Sequence, residues 1–171
     1  MKGQFGFEQI ISLIVFISFA SYIFYVVFLQ VPIYRTEMRN EELRSEAYQI
    51  SELLINDPGN DADWHKPGKN LNRLGLSNEV ENKTNYVSMD KLNKLNSTCY
   101  QPNFEGYETV KLAIDTNHQF SINITGKNCT ISINCRPPAS IYRSKASSEI
   151  IKRLFATDQG SCYAELNLEI W

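Results

Sequence analysis

Residues 1–34 read MKGQFGFEQIISLIVFISFASYIFYVVFLQVPIY, and the rest of the chain is organised around them. From Ile10 to Tyr34 no residue carries a formal charge. A helix rises about 1.5 Å per residue, so this run spans roughly 37 Å, more than a hydrocarbon core of about 30 Å. A cleaved secretory signal has an apolar region of only about 7–15 residues, so the stretch predicts a helix that stays in the membrane. At its front stands Glu8. An ionised carboxylate at mid-membrane costs on the order of 3 kcal/mol, which makes an intramembrane acid a functional-site candidate by default. Taken alone, Glu8 at headgroup depth with no special role is the plainer reading.

The residues around Glu8 change that balance. Lys2-Gly3-Gln4-Phe5-Gly6-Phe7-Glu8, followed at once by the apolar run, resembles the class III signal peptide of archaeal type IV pilins. The resemblance implies a membrane-embedded prepilin peptidase that cuts after Gly3. Residues 1–3 are then a leader, Gln4 is the new N-terminus, and Glu8 becomes mature position five, the assembly carboxylate. Cleavage exposes an α-amine at Gln4 with an ordinary pKa near 8, mostly cationic at neutral pH. In a filament core of packed helices that amine meets Glu8 of a neighbour. Pairing offsets two desolvation costs, and an unpaired buried charge is strongly unfavourable, so only the correct axial stagger is tolerated.

The totals suit one ectodomain behind the helix. The chain has 171 residues, a formal charge of −2 and a pI near 5.7, which gives no footprint for nucleic-acid binding. All four cysteines, Cys99, Cys129, Cys135 and Cys162, follow the helix. None forms a CxxC pair and there are only two histidines, so disulfides outside the cell fit better than zinc. Four N-glycosylation sequons lie on the same side, with acceptors Asn82, Asn96, Asn123 and Asn128. Charge points the other way: Lys2 precedes the helix, while Arg35 and Arg39 follow it, against the positive-inside rule for an external domain. Sequons, cysteines and the leader resemblance together favour the external placement.

Beyond the membrane run, Leu43, Ala47, Ile50 and Leu54 form one helical stripe opposite Glu42, Arg44, Glu46, Gln49 and Glu52. The pattern predicts one long helix from about Phe5 to about Ile55, kinked at Pro32 and stopped by Asp57-Pro58-Gly59. Asn60 to Leu76 reads as a polar loop anchored by Trp64. The run Pro58-Gly59, Trp64, Gly75-Leu76 and then a short helix with Lys91 also resembles a segment of archaeal pilin-like membrane proteins, as does the end on Trp171. Ser88 is a candidate N-cap for a helix over Met89 to Leu95. After Phe104 the period changes to two. Strands are predicted over Tyr107–Asp115, Gln119–Thr125, Cys129–Cys135 and Cys162–Ile170, with turns at Thr116-Asn117-His118 and Gly126-Lys127-Asn128. Pro137-Pro138 breaks the sheet or marks its edge. Ile150 to Phe155 is helix by composition and strand by its place before Asp158-Gln159-Gly160, and a terminal hairpin is favoured. If Cys129–Cys135 is one strand, its ends are about 20 Å apart, too far for a disulfide, which needs Cα atoms within roughly 7 Å. Two connectivities remain: Cys99–Cys129 with Cys135–Cys162, or Cys99–Cys135 with Cys129–Cys162.

No pattern for chemistry stands out. His65 in a polar loop and His118 in a turn read as solvated surface residues. Asp57, Asp61 and Asp63, with Asn56 and Asn60, lack the spacing of a calcium loop. Neither a phosphate loop nor a serine nucleophile motif occurs, so no enzyme, metal or cofactor is expected. The fold class expected is α+β, with a long N-terminal transmembrane helix continuing into a small antiparallel ectodomain. Its parts are the leader 1–3, the transmembrane and filament-core helix 4–34, its extracellular half 35–57, and an extracellular domain 58–171. The resemblance implies a major or minor pilin subunit of an archaeal type IV pilus-like surface filament. Its partners are other pilin subunits, the prepilin peptidase and, before assembly, the membrane. The alternative is a single-pass anchored extracellular interaction protein that never polymerises.

Overall fold

The computed structural model of the chain describes residues 6–78, 83–100, 105–143 and 147–171. Helix α1 runs unbroken from Phe7 to Asn56 and passes through Pro32. Proline has no N–H to offer the carbonyl four residues earlier. One turn on, the Thr36 hydroxyl donates to the Pro32 carbonyl at 2.9 Å. The chain divides into two compact units, Met1–Arg39 and Asn40–Trp171. In the described part of the first, α1 exposes every residue from Phe7 to Tyr34 except Ala20 and Val26, which are half-buried.

The second unit holds the last turns of α1 and eight further elements: β1 (Tyr86–Val87), α2 (Met89–Cys99), α3 (Glu105–Ile114), β2 (Phe120–Gly126), β3 (Ser132–Cys135), α4 (Ala139–Arg143), β4 (Glu149–Thr157) and β5 (Tyr163–Ile170). It is an α+β unit around a five-stranded sheet of order β1-β4-β5-β2-β3. One sheet face carries Phe120, Ile122, Ile124, Leu166 and Leu168, all fully buried. These join the α1 stripe Leu43, Ala47, Ile50 and Leu54, with Leu92 and Leu95 of α2 and Val110 of α3, in a single core. The opposite sheet face is polar over β3, β2 and β5, with Asn123 of β2 in register with Asn134 and Asn167 on its two neighbours, and carries the exposed Ile150 and Leu154 on β4.

Several sequence expectations change. Residues Tyr107–Asp115 are not a strand but α3. Its buried residues are Gly106, Tyr107, Val110 and Ala113, a helical spacing, whereas Leu112 is 78% exposed. Val110 and Ile114, four apart, fit both periods, and the β-branched residues tilted the reading toward a strand. Thr116-Asn117-His118 therefore joins a helix to β2. Asp115, with φ 59°, ends that helix. The sheet is mixed rather than antiparallel, because β1 runs parallel to β4 over Tyr86↔Ala156 and Val87↔Thr157. That edge is held by the Ala156 N–H on the Asn85 carbonyl and the Asp158 N–H on the Val87 carbonyl. Cys129 lies outside its strand, since β3 covers only Ser132–Cys135. Residues 149–170 form the hairpin β4–β5, closed by Gly160 at φ +69°. Ser88 occupies the N-cap position of α2 but its side chain makes no cap bond. The Asp158 carboxylate accepts the Met89 N–H instead, at 2.9 Å.

The disulfides are Cys99–Cys135, linking α2 to β3, and Cys129–Cys162, linking the β2–β3 turn to the head of β5. Their Cα separations are 5.4 and 5.6 Å. Under the sheet the Tyr107 ring lies 5.0 Å from that of Phe120, its hydroxyl donating to Gln119 Oε1 and accepting the Phe120 N–H. Burial pushes the Tyr107 phenol up to about 12, against the pull of the Phe120 N–H. Tyr107→Phe leaves that buried N–H without its acceptor, a loss of about 1–3 kcal/mol. Urea denaturation is expected to show a lower midpoint with an unchanged slope.

Candidate functional site

The long apolar helix is the first candidate. Among the described residues, α1 is the one helix long and apolar enough to cross a membrane. Glu8 sits in its first turn and is exposed. Gly3 and Gln4 lie outside the described residues, as does Asn82.

The second candidate is the segment that follows α1, where residues distant in sequence converge. Asp57 Oδ1 accepts the Gly59 N–H at 2.7 Å and Arg73 Nη2 at 3.1 Å. Gly59 has φ +98°, and a Cβ there would lie 2.7 Å from the Trp64 ring and 2.9 Å from the Arg73 carbonyl. Trp64 is buried and its Nε1 donates to the Gly75 carbonyl at 2.8 Å. A Cβ on Gly75 would collide with the Asp57 carbonyl and the Gly59 nitrogen, both rigid backbone. The loop is stitched back to the end of α1 by the Leu76 N–H on the Leu54 carbonyl, and to the residue just after it by the Ser77 N–H on the Asp57 carbonyl. Lys91, only 2% exposed, donates from Nζ to the Pro58 carbonyl at 2.7 Å and the Ser77 carbonyl at 2.8 Å. A strongly hydrated ammonium leaves water only where carbonyl oxygens replace its solvent. Pro58-Gly59, Trp64, Gly75-Leu76 and Lys91 therefore form one structural knot.

Polar bridges fix α1 to the rest of its unit. Glu46 Oε1 accepts the Thr116 hydroxyl, and Oε2 lies 2.6 Å from His118 Nδ1. His118 is thus a half-buried partner of a carboxylate rather than a solvated turn residue. His65 is half-buried too, its ring edge-on to Trp64, with a buried Nδ1 that has no hydrogen-bond partner. On the other flank Arg153 stacks over Tyr48 at 4.5 Å, reaches Glu52 Oε1 at 2.7 Å and contacts Ser51. Burial works against the Glu52 carboxylate, but the Asn56 amide and the Arg153 charge outweigh it and hold its pKa below the usual 4.5. Asp61 is likewise held low by Lys69 and the Asp63 N–H, and Glu165 by Lys127. Among the described residues no group of three His, Cys, Asp or Glu side chains is placed to hold a metal ion.

The described sequons differ in setting. Asn123 is exposed on the polar sheet face. Asn128 is engaged at both ends of its amide, Nδ2 with the Ser161 carbonyl and Oδ1 with the Tyr163 N–H. Asn96 is half-buried, and the hydroxyl of its partner Thr98 donates to the Lys94 carbonyl. Sequence reading missed Glu46–His118 and Glu52–Arg153, because pairs 72 and 101 residues apart leave no local pattern. The Lys91 knot had a signal, the spacing of Pro-Gly, Trp, Gly-Leu and Lys, but not the geometry behind it. Comparison with protein families, curated proteins and solved structures finds no match.

Lys91→Met removes the donor from two carbonyls, a loss of about 1–3 kcal/mol for each one left unpaired. The thermal midpoint is the measure, and an unchanged value contradicts the knot. For Glu52 the sign follows from its depressed folded pKa. The stability it contributes is complete above the unfolded value of 4.5 and disappears as pH falls through the lower folded one. Glu52→Gln is therefore expected to flatten the acid side of a melting-temperature profile and to lower the plateau near neutrality.

Proposed function

We propose that the protein is a pilin-like structural subunit. Its apolar N-terminal helix first anchors it in the membrane and then packs into the core of a surface filament. The observation that carries this reading is an uncharged, uncovered helix that opens on a carboxylate. From Ile10 to Tyr34 there is no charge, and two residues earlier, in the first turn of the helix, stands Glu8. A plain anchor gains nothing from an acid at that depth, whereas a polymer gains register from it. The resemblance of Lys2–Glu8 to a class III signal peptide supports the same reading. It places the leader at residues 1–3 and supplies the counter-charge, the amine of Gln4 in the adjacent subunit.

The second unit is then the part presented outside the cell. Its two disulfides and the exposed sequon Asn123 suit an oxidising surface. The work is mechanical: no step of covalent chemistry is assigned to it.

Breaking one side of a buried pair costs about 3–5 kcal/mol, so Glu8→Gln is expected to cut incorporation into filaments at least tenfold while membrane levels stay normal. Quantitative blots of sheared surface filaments against membrane fractions measure both. Incorporation of Glu8→Gln at the wild-type level would contradict the proposal.

A further inference from the structure

The apolar half of α1 is not uniform around its circumference. At about 100° per residue, Ser18, Ser21, Tyr22 and Tyr25 fall within about 100° of arc. Ala20 and Ile23, interleaved with them and at the same depth, lie on the other side. The uncharged run Ile10–Tyr34 is centred on Tyr22, so all these hydroxyl-bearing residues lie within about 6 Å of its midpoint, against a hydrocarbon half-thickness of about 15 Å. Interfacial tyrosines sit at headgroup depth, where water meets their hydroxyls. These two do not reach it. Helical side chains lean toward the N-terminus, which carries the Tyr25 hydroxyl toward the midpoint and the Tyr22 hydroxyl about one turn past it.

Within the chain these hydroxyls are unanswered. Tyr22 and Tyr25 are 64% and 63% exposed, and Ser18 and Ser21 are exposed beside them. Among the described residues none of these side chains makes a hydrogen bond, whereas Thr36 on the same helix turns back onto the Pro32 carbonyl. A helical serine can satisfy itself on its own backbone in that way, but a tyrosine hydroxyl stands too far out. In hydrocarbon an unpaired hydroxyl has no water to fall back on. The face calls for a partner at its own depth that both donates and accepts.

We infer that this face pairs with the same face of a second copy of the chain, as a parallel dimer of α1 helices within the bilayer. Among the described residues α1 is the one helix able to cross a membrane, so the described chain offers no second helix of its own. Copies inserted by the same route share one orientation, and residues of equal depth meet. The spacing is self-complementary. Tyr22 stands four residues beyond Ser18 and Tyr25 four beyond Ser21, about one turn in each case. A tyrosine leaning back by a turn on one helix therefore meets a serine hydroxyl on the other, and each hydroxyl both donates and accepts. The serines are also small enough to let the two backbones approach. The inference rests on the membrane-embedded stage of the proposed function alone. It needs neither cleavage after Gly3 nor a polymer.

The test uses the full chain, made in a host without prepilin peptidase and reconstituted in phosphatidylcholine vesicles at high lipid excess. Single cysteines are introduced and oxidised with copper phenanthroline, the native cysteines being already paired. Ser18→Cys and Ser21→Cys are expected to give cross-linked dimer at about five times or more the yield of Ala20→Cys and Ile23→Cys, the controls at the same depth. Tyr22→Phe combined with Tyr25→Phe keeps the rings and removes the hydroxyls. It should weaken association of dye-labelled copies, read by energy transfer, about threefold or more. Equal cross-linking on both faces, or energy transfer indifferent to the two phenylalanines, overturns the inference and leaves membrane insertion standing. A chain that stays monomeric leaves the face to lipid or to the helix of another protein, and overturns it too. A chain that fails to float with the vesicles overturns the inference together with the membrane reading. Failure of the filament step alone changes none of these results.

Discussion

The first half of α1 presents an apolar surface that costs free energy to leave in water. Along it Phe16, Phe24, Phe28 and their neighbours stand open, with Phe28 81% exposed. Burying one such side chain is worth about 1.5–3 kcal/mol, so the whole run carries on the order of tens of kcal/mol of unmet hydrophobic free energy. That is several times the net stability of an ordinary domain, about 5–15 kcal/mol. On the proposed reading that surface is covered first by lipid and then by other helices. The two readings of the chain differ only in which cover is final, and Glu8 is the residue on which they separate.

The second unit has a core of its own. Its own hydrophobic cluster starts at Leu43 and runs through α2, α3 and the sheet. The junction between the last turn of α1 and the sheet is governed by backbone carbonyls that must find donors. Pro58 and Ser77 find the Lys91 ammonium, and Gly75 finds the Trp64 indole. Glycine is required at 59 and 75 because the two chain segments touch there with no room for a side chain. A loop long enough to wander is thereby fixed as part of the core. The disulfides do similar work at the opposite end, around β3.

How much of this could be read from sequence depended on the range of the interaction. The α1 stripe, Trp64 as the loop anchor, and strands β2 and β5 follow from periods of 3.6 and 2 in residues close together. Residues 107–115 were misread because a nine-residue window holding Val110 and Ile114 satisfies both periods, and only packing of Tyr107 and Ala113 decides between them. Strand β1 has two residues and leaves no pattern at all. The cap of α2 comes from Asp158, 69 residues away, so Ser88 at the expected position was a local cue overridden by tertiary structure. The cysteine types and their oxidised state were legible, but choosing between two pairings required knowing that α2 lies against β3.

A filament held in register by Glu8 requires that its positive partner be made. Intact-mass and N-terminal peptide analysis of the protein taken from its native cells decides this directly. A chain that has lost Met1–Gly3 and begins at Gln4 is the predicted result. A mature protein that still carries Met1, Lys2 and Gly3 would have no α-amine at the required position, and the filament reading would be contradicted.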